Sequence, residues 1–245
     1  MKKDPVPHPH AAAPEMIGGS AVMQALAETA TRAAVRNTKV LITGESGVGK
    51  DVLARFIHAQ STRAARPFIA VNCAGLAETL LESELFGHMK GSFTGAYRDK
   101  LGKLELADRG TIFLDEVGEM TPRMQALLLR FLESGEVQPV GGESIHRRVD
   151  ARVIAATNRD LEKMTVAGTF REDLLYRIRV VHLHVPALRE RTEDIRPLLT
   201  HFLKRIDPTI TLAEDAWRVL ELYPWPGNIR ELQNVVEQLS AAGHE

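Results

Sequence analysis

The sequence predicts an α/β fold: a five-stranded parallel sheet flanked by helices, followed by a small all-helical domain. Three observations carry it. Short apolar runs at 39–43, 67–71, 111–115, 152–157 and 179–185 alternate with helix-like stretches, the pattern of a parallel sheet with crossover helices. Most of these runs are continuous rather than alternating, so helices must cover both faces of the sheet. After Pro186 no further strand-like run occurs, and helical spacing takes over at about 193–206, 212–222 and 229–240.

Along the chain, residues 1–14 carry Pro5, Pro7, Pro9 and Pro14 and little to bury, which reads as a flexible lead-in. His8 and His10 belong to that solvated stretch rather than to a metal site. The α/β domain is expected over 15–186 and the helical domain over 187–245. The helix at 122–133 is the best marked: Thr121 can cap it, Pro122 suits its first turn, and Gly135 ends it. Met124, Leu127, Leu128, Phe131 and Leu132 keep helical spacing between those signals.

A chain of 245 residues that is 44% hydrophobic can bury a substantial core. With 31 basic and 32 acidic residues the net charge is −1, which gives no general attraction to nucleic acid or to an anionic membrane. Cys73 is the only cysteine, so there is no disulfide framework and a reducing compartment fits. Met1-Lys2-Lys3-Asp4 is not followed by a signal-like apolar stretch, and no run has the length to cross a bilayer. A soluble, cytoplasmic protein without membrane contact is expected.

The chemistry begins at Gly44-Glu45-Ser46-Gly47-Val48-Gly49-Lys50-Asp51, directly after the apolar run Val40-Leu41-Ile42. A strand that enters a glycine-rich turn and then a lysine wraps backbone N–H groups around phosphate. Gly44, Gly47 and Gly49 let the backbone approach without Cβ clashes, and Lys50 supplies charge near the terminal phosphates. Alone the motif is weak, since G-x4-G-K arises by chance in roughly one chain in twelve of this length. The Ser or Thr that usually follows the lysine and ligates Mg²⁺ is replaced by Asp51. What strengthens it is the second run, Thr111-Ile112-Phe113-Leu114-Asp115-Glu116, an apolar strand ending in adjacent carboxylates. Asp115 is the natural Mg²⁺ ligand and Glu116 the group to polarise an attacking water. Ligands bind outside this edge in open α/β sheets. The alternative is an ordinary strand terminus running into a polar loop.

Other residues join this site with alternatives open. Asn158, after the run Val153–Thr157, can reach the γ-phosphate or the water, or it can cap the next helix. Asn72 ends the run Phe68–Val71 in the same way and can hydrogen-bond Glu116. Arg171 and Arg177 lie six residues apart, about 600° on a helix, so they cannot share one face. One can reach a neighbouring subunit's phosphate as an arginine finger; the alternative is a surface ion pair with Glu172 or Asp173. In Pro226-Gly227-Asn228-Ile229-Arg230-Glu231, Asn228 reads as an N-cap and Glu231 completes a capping box. Arg230 then sits in a first helical turn, where the dipole disfavours a cation, and this local mismatch points to an anionic partner such as ATP phosphate. His182 and His184 share a strand face and are read as a packed or solvated pair, not as metal ligands. In Gly91-Ser92-Phe93-Thr94-Gly95-Ala96, two glycines bracket an aromatic and a hydroxyl. A tight turn burying Phe93 is the default reading, and a mobile loop presenting Phe93 and Thr94 to a partner is the functional one.

On these motifs the chain resembles the AAA+ ATPase domain of sigma-54-dependent transcriptional activators, the bacterial enhancer-binding proteins, from about Met16 to Leu239. The most specific element is Gly91 to Ala96, which is similar to the family's GAFTGA loop and follows Glu84-Leu85-Phe86-Gly87-His88 as in that family. The resemblance implies a P-loop AAA+ fold with a helical lid, Walker A at 44–51, Walker B at 111–116, sensor I at Asn158 and sensor II at Arg230. Arg171 and Arg177 match the arginine fingers, and Asn72 with Glu116 matches a pair in which asparagine restrains the catalytic glutamate. The implied nucleotide-binding set is Ile17, Gly44, Glu45, Ser46, Gly47, Val48, Gly49, Lys50, Asp51 and Arg230, with Asp115 and Asp51 on the Mg²⁺. ATP, Mg²⁺, a homo-oligomeric (by analogy hexameric) ring and sigma-54 RNA polymerase holoenzyme as partner follow as expectations. Ser92 departs from the family's alanine, and Asp51 stands where the family usually has glutamate. The regulatory and helix-turn-helix DNA-binding domains that flank this region in the family are not expected within these residues. Two rivals share the ATP site: a general AAA+ remodeller that ignores sigma-54, and a nucleotide-gated scaffold without hydrolysis, for which Asp51 is the best support.

Overall fold

A computed structural model describes residues 16–142, 147–206 and 212–241; the expected lead-in at 1–14, with His8 and His10, lies outside them. Five strands form one parallel sheet: β1 (Val40–Thr43), β2 (Phe68–Asn72), β3 (Thr111–Asp115), β4 (Arg152–Thr157) and β5 (Val181–His184). Their order is β2-β3-β4-β1-β5. The register sets Asn72 beside Asp115, and Thr43 between Thr157 and His184. The C-terminal ends of all five strands therefore meet along one edge, where α/β sheets hold ligands.

The continuous apolar runs are explained by two cores, one on each face. Along β1, Leu41 packs on one side while Val40 and Ile42 pack on the other. In β3, Ile112 and Leu114 oppose Phe113, and in β4 Val153 and Ala155 oppose Ile154 and Ala156. α1 (Ala21–Val35) and α2 (Lys50–Ala59) close one face. The other face is covered by α3 (Glu78–Phe86), α4 (Pro122–Ser134), α5 (Leu161–Val166) and α6 (Glu172–Ile178). α4 is built as its sequence signals require: Thr121 Oγ1 accepts the Met124 N–H at 3.3 Å, Pro122 opens the helix, and Gly135 ends it at φ +72°.

Arg152, at the start of β4, is 4% exposed. Its guanidinium donates to the carbonyls of Ala33 (2.9 Å) and Ala34 (3.3 Å) in the last turn of α1 and to that of Thr38 (3.1 Å) just beyond it. Burial first, then the charge of Arg63, pushes its pKa down to about 10, still well above neutrality.

The lid comprises α7 (Ile195–Ile206), α8 (Glu214–Leu222) and α9 (Asn228–Ala241) around Trp225. The Trp225 ring is fully buried, and its indole N–H donates to Leu220 O at 2.8 Å, so the one polar atom of the ring keeps a partner. Two features differ from expectation. The run 179–185 is a strand only from Val181, because α6 continues to Ile178 and leaves Arg179 and Val180 as its connection. Two short hairpins also interrupt the α/β alternation: Gly87–His88 with Lys100–Leu101, and Glu136–Val137 with Arg147–Arg148. They are joined to each other by a bridge between His88 and Val140.

Candidate functional site

The segment between β1 and α2 turns back on itself in a way only glycine permits at two positions. Gly44 has φ +151°, and a Cβ there would sit 2.6 Å from Val185 O; Gly47 has φ +79°, and a Cβ would meet Gly227 O at 2.4 Å. The loop thus fits closely between the end of β5 and the lid. Lys50, the first residue of α2, is buried. Its ammonium donates to Gly44 O (2.9 Å) and Glu45 O (3.2 Å) and lies 3.5 Å from Glu116 Oε1.

Across this space, Asp115 Oδ1 accepts the Glu116 N–H at 3.0 Å. Burial, and then the neighbouring Glu116 carboxylate, pushes the Asp115 carboxyl above its ordinary range, while Lys50 opposes the shift. Glu116 adopts φ +54°, the left-handed region. Non-glycine residues enter it at a cost of about 1–2 kcal/mol, as Asn37, Arg109, Trp225 and Asn228 also do in this chain. Glu116 Oε2 accepts the Asn158 N–H at 3.0 Å. Asn158 does not cap the next helix; Asp160 does, its carboxylate accepting the Lys163 N–H at 3.1 Å.

The hydrogen bond expected between Asn72 and Glu116 is not formed. Asn72 Oδ1 instead accepts the Ala74 N–H at 2.8 Å, a local turn that takes the acceptor, while Glu116 is drawn to Lys50 and Asn158. Arg171 and Arg177 also differ from the helical picture, since α6 starts at Glu172 and Arg171 is its N-cap. The Arg171 guanidinium pairs with Asp173 through Nε–Oδ1 (3.0 Å) and Nη2–Oδ2 (2.7 Å), the surface ion pair left open by the sequence. Both arginines are exposed, and neither lines the cavity around Lys50.

Arg230 does reach that cavity, donating from Nη1 to Ser46 Oγ at 2.8 Å. Asn228 is not the simple cap that the sequence suggests. Gly227 takes that place: its carbonyl accepts the Glu231 N–H at 3.2 Å and its N–H donates to Glu231 Oε2 at 2.7 Å. Asn228, at φ +54°, sends its amide across to the glycine-rich loop instead.

The cavity measures about 640 Å³ and is walled by the loop 46–51, Asp115 and Glu116 on one side and by the lid on the other. Ile17 lines it beside Met16, and Asp51 lies exposed at its mouth in the first turn of α2. Leu198, His201, Phe202 and Arg205 present one stripe of α7 to it. Sequence reasoning missed these four: their helical spacing is legible, but not which neighbour the stripe faces. It also missed Arg191, which is 1% exposed, donates from Nη2 to Val48 O at 2.9 Å and has no hydrogen-bond partner for its Nε among the described residues. His182 Nε2 and His184 Nδ1 both meet Thr43 Oγ1, at 2.8 and 3.1 Å, a packed pair as expected.

Glu45 points away from the cavity, towards the lid. Both oxygens take Arg189 (2.5 and 2.9 Å), and Oε2 also accepts Asn228 Nδ2 at 3.1 Å. The Arg189 hydrogen bonds first, then the Asn228 one, hold its carboxyl down at about 2, against an ordinary 4.5. A carboxyl depressed on folding stabilises the fold above the unfolded value and loses that contribution as pH falls towards the folded one. Denaturant titrations of the parent and Glu45→Gln should show a constant stability gap above about pH 5.5 that closes as pH drops from 4.5 towards 2. A gap unchanged at pH 2 contradicts the pairing.

The segment Gly91–Ala96 projects from the first hairpin. The Gly91 N–H donates to Ala96 O (2.7 Å), and the Ala96 N–H donates to Phe93 O (3.0 Å). Phe93 is half-buried, edge-on to His88 with ring centroids 5.0 Å apart, whereas Thr94 is exposed. Ser92 Oγ is enclosed against Gly141 of the second hairpin, with no hydrogen-bond partner among the described residues. Neither reading of this segment holds alone: the aromatic is half-covered and the hydroxyl next to it is presented. Among the described residues no helix is long and apolar enough to cross a membrane.

Comparison with known proteins agrees with this geometry. A family profile described as "Sigma-54 interaction domain" matches residues 16–184, and one described as "AAA+ ATPase lid domain" matches 189–245. The Nif-specific regulatory protein of Enterobacter agglomerans is 48% identical over 235 residues, covering 94% of this chain and 45% of that protein. Crystal structures of NtrX from Brucella abortus in complex with ADP and with ATP align with TM-scores of 0.85 and 0.83 at 41% and 42% identity. Each covers 93% of this chain, and 52% and 53% respectively of the NtrX chain. This chain thus spans about half the length of the proteins it matches. With the profile extending over most of the sequence and the P-loop sheet and helical lid in place, the chain belongs to the Sigma-54 interaction domain family, the AAA+ domain of sigma-54-dependent activators.

Proposed function

We propose that this domain hydrolyses ATP and uses the energy to remodel sigma-54 RNA polymerase holoenzyme, converting a closed promoter complex into an open one. The observation that carries the reading is the convergence of Lys50, Asp115, Glu116 and Arg230 on one cavity while Thr94 stands exposed on an inserted hairpin. NtrX, a structural relative, is seen with ADP and with ATP. The division into a nucleotide domain over 15–186 and a lid over 187–245 is part of this proposal, supported by the profile matches to 16–184 and 189–245.

The loop 44–50 fits a triphosphate: its positive-φ glycines clear space for phosphate oxygens, and the Lys50 ammonium beside it supplies the charge. Gly44, Glu45, Ser46, Gly47, Val48 and Gly49 contribute backbone, Ile17 lines the base end, and Arg230 takes the γ-phosphate in exchange for Ser46. The carboxylates of Asp115 and Asp51 suit a hard cation, and Mg²⁺ held there would neutralise charge building on the phosphates. Glu116 accepts the proton of the attacking water, and Asn158 holds Glu116 and the water in place. Asn72 can engage Glu116 only by giving up its turn to the Ala74 N–H. Arg171 or Arg177 completes the site of the neighbouring protomer in a ring, hexameric by family analogy. Arg171 is bound only by an exposed ion pair, the kind most easily exchanged. Cytoplasmic location, where the polymerase resides, belongs to the same proposal.

A site completed by a second protomer has a kinetic signature. ATPase rate per protomer should rise steeply with protein concentration and then saturate, and a rate that is flat with dilution excludes a finger supplied in trans. Capture of sigma-54 in the presence of a transition-state mimic separates this reading from a general AAA+ remodeller.

A further inference from the structure

The lid does more than cover the cavity: it holds the phosphate loop by three successive carbonyls. Ser46 O accepts from Asn228 Nδ2 (3.0 Å), Gly47 O from the Ile229 N–H (3.0 Å), and Val48 O from Arg191 Nη2 (2.9 Å). Each of these carbonyls shares a planar peptide unit with the N–H of the next residue, so holding the carbonyls fixes the direction of those N–H groups. Asn228 is the centre of the grip. It is 0% exposed, and it adopts the left-handed conformation that asparagine tolerates better than most residues. Its Nδ2 serves both Ser46 O and Glu45 Oε2, and its Oδ1 accepts the Leu188 N–H at 2.8 Å. Leu188 is followed by Arg189, whose fork closes on Glu45. The result is a closed ring, Glu45–Arg189–Leu188–Asn228–Glu45, in which three hydrogen-bonded links and the peptide bond between Leu188 and Arg189 span the domain boundary.

We propose that Asn228, with Glu45 and Arg189, is a positioning device: the lid sets the phosphate-binding shape of the 44–50 loop through this ring. None of the three touches nucleotide through its side chain. This rests on the ATP reading above, and deepens it by making nucleotide affinity depend on residues outside the phosphate contacts. Loss of the grip should weaken ADP and ATP alike, because it acts on the loop that both nucleotides share. Loss of the Arg230 guanidinium should weaken ATP more than ADP.

The test uses the full chain with Mg²⁺ and fluorescent ADP and ATP. Asn228→Asp keeps a residue that tolerates the left-handed backbone, but it removes both N–H donors and sets a second carboxylate against Glu45. Both affinities should fall by about tenfold, the effect of roughly one charge-assisted hydrogen bond. Glu45→Gln alone should weaken binding slightly, yet added to Asn228→Asp it should strengthen it, since the amide that replaces the Glu45 carboxylate can donate to the new carboxylate opposite. A merely structural asparagine would not reverse the sign of its neighbour's effect. Wild-type affinity in Asn228→Asp, or a Glu45→Gln effect of the same sign in both backgrounds, overturns the proposal. If Asn228→Asp does not fold, Arg189→Met decides. Its side chain is 45% exposed, so the fold should survive; nucleotide affinity should drop by a few-fold, and unchanged affinity overturns the proposal. A parent protein that retains no nucleotide removes the ATP reading itself, a separate and recognisable outcome.

Discussion

Glutamine in place of Glu116 should lower ATP turnover by about 10²–10⁴-fold, the range for a positioned general base, while nucleotide affinity stays within a few-fold of the parent. Glu116 touches two groups with two different oxygens, the Lys50 ammonium at 3.5 Å and the Asn158 N–H at 3.0 Å. Glutamine is nearly isosteric and its carbonyl oxygen can keep the Asn158 contact. It loses the negative charge facing Lys50 and the lone pair that would receive a proton from water. Removing that charge frees the ammonium for phosphate, so binding should not weaken. Phosphate release under single-turnover conditions, alongside a nucleotide titration, measures the two quantities separately. Turnover equal to the parent's would remove Glu116 from the chemistry and leave its left-handed backbone unexplained.

Thr94→Ala should leave the ATPase rate within about twofold of the parent, yet reduce open-complex formation by roughly 30-fold or more, the loss given by an interface hot spot of about 2 kcal/mol. The two effects separate because the loop around Thr94 is closed by backbone hydrogen bonds, Gly91 N–H to Ala96 O and Ala96 N–H to Phe93 O. Among the described residues no hydrogen bond of the Thr94 side chain holds the loop, and the residue belongs to none of the hydrophobic cores. Promoter opening assayed with sigma-54 holoenzyme at saturating ATP checks it. A parallel fall in hydrolysis and opening would mean that the loop acts on the ATP site, and the division of labour would be wrong.

Legibility in the sequence tracked how local each feature's cause is. β1, β3 and β4 were readable because each is buried on both faces and so appears as an unbroken apolar run. The hairpins at 87–101 and 136–148 were not, because each of their strands is two residues long and leaves no periodicity to detect. That Lys50, Asp115 and Glu116 line one cavity was legible because short motifs encode them next to strands that the fold brings together. Arg230, singled out by a local electrostatic mismatch, reaches Ser46 of the glycine-rich loop. Asn228 shows the limit of that approach. Its neighbours spell a capping box, but its amide is committed to Leu188 and Ser46, 40 and 182 residues away in the chain. Asn72 erred in the other direction: a distant partner was expected, and a turn two residues on took its acceptor. Arg191 carries no local signal, since its role comes only from the lid folding back beneath Val48.

The rigid rod of α3 begins six residues after Asn72 and ends where the hairpin bearing Thr94 begins. Nine residues of helix span about 13 Å, so a tilt of about 10° about its N-terminal end would swing the far end by roughly 2 Å. Because His88 is bridged to Val140, that swing would pull on two legs at once, much as a hinged derrick lifts its tip instead of merely bending.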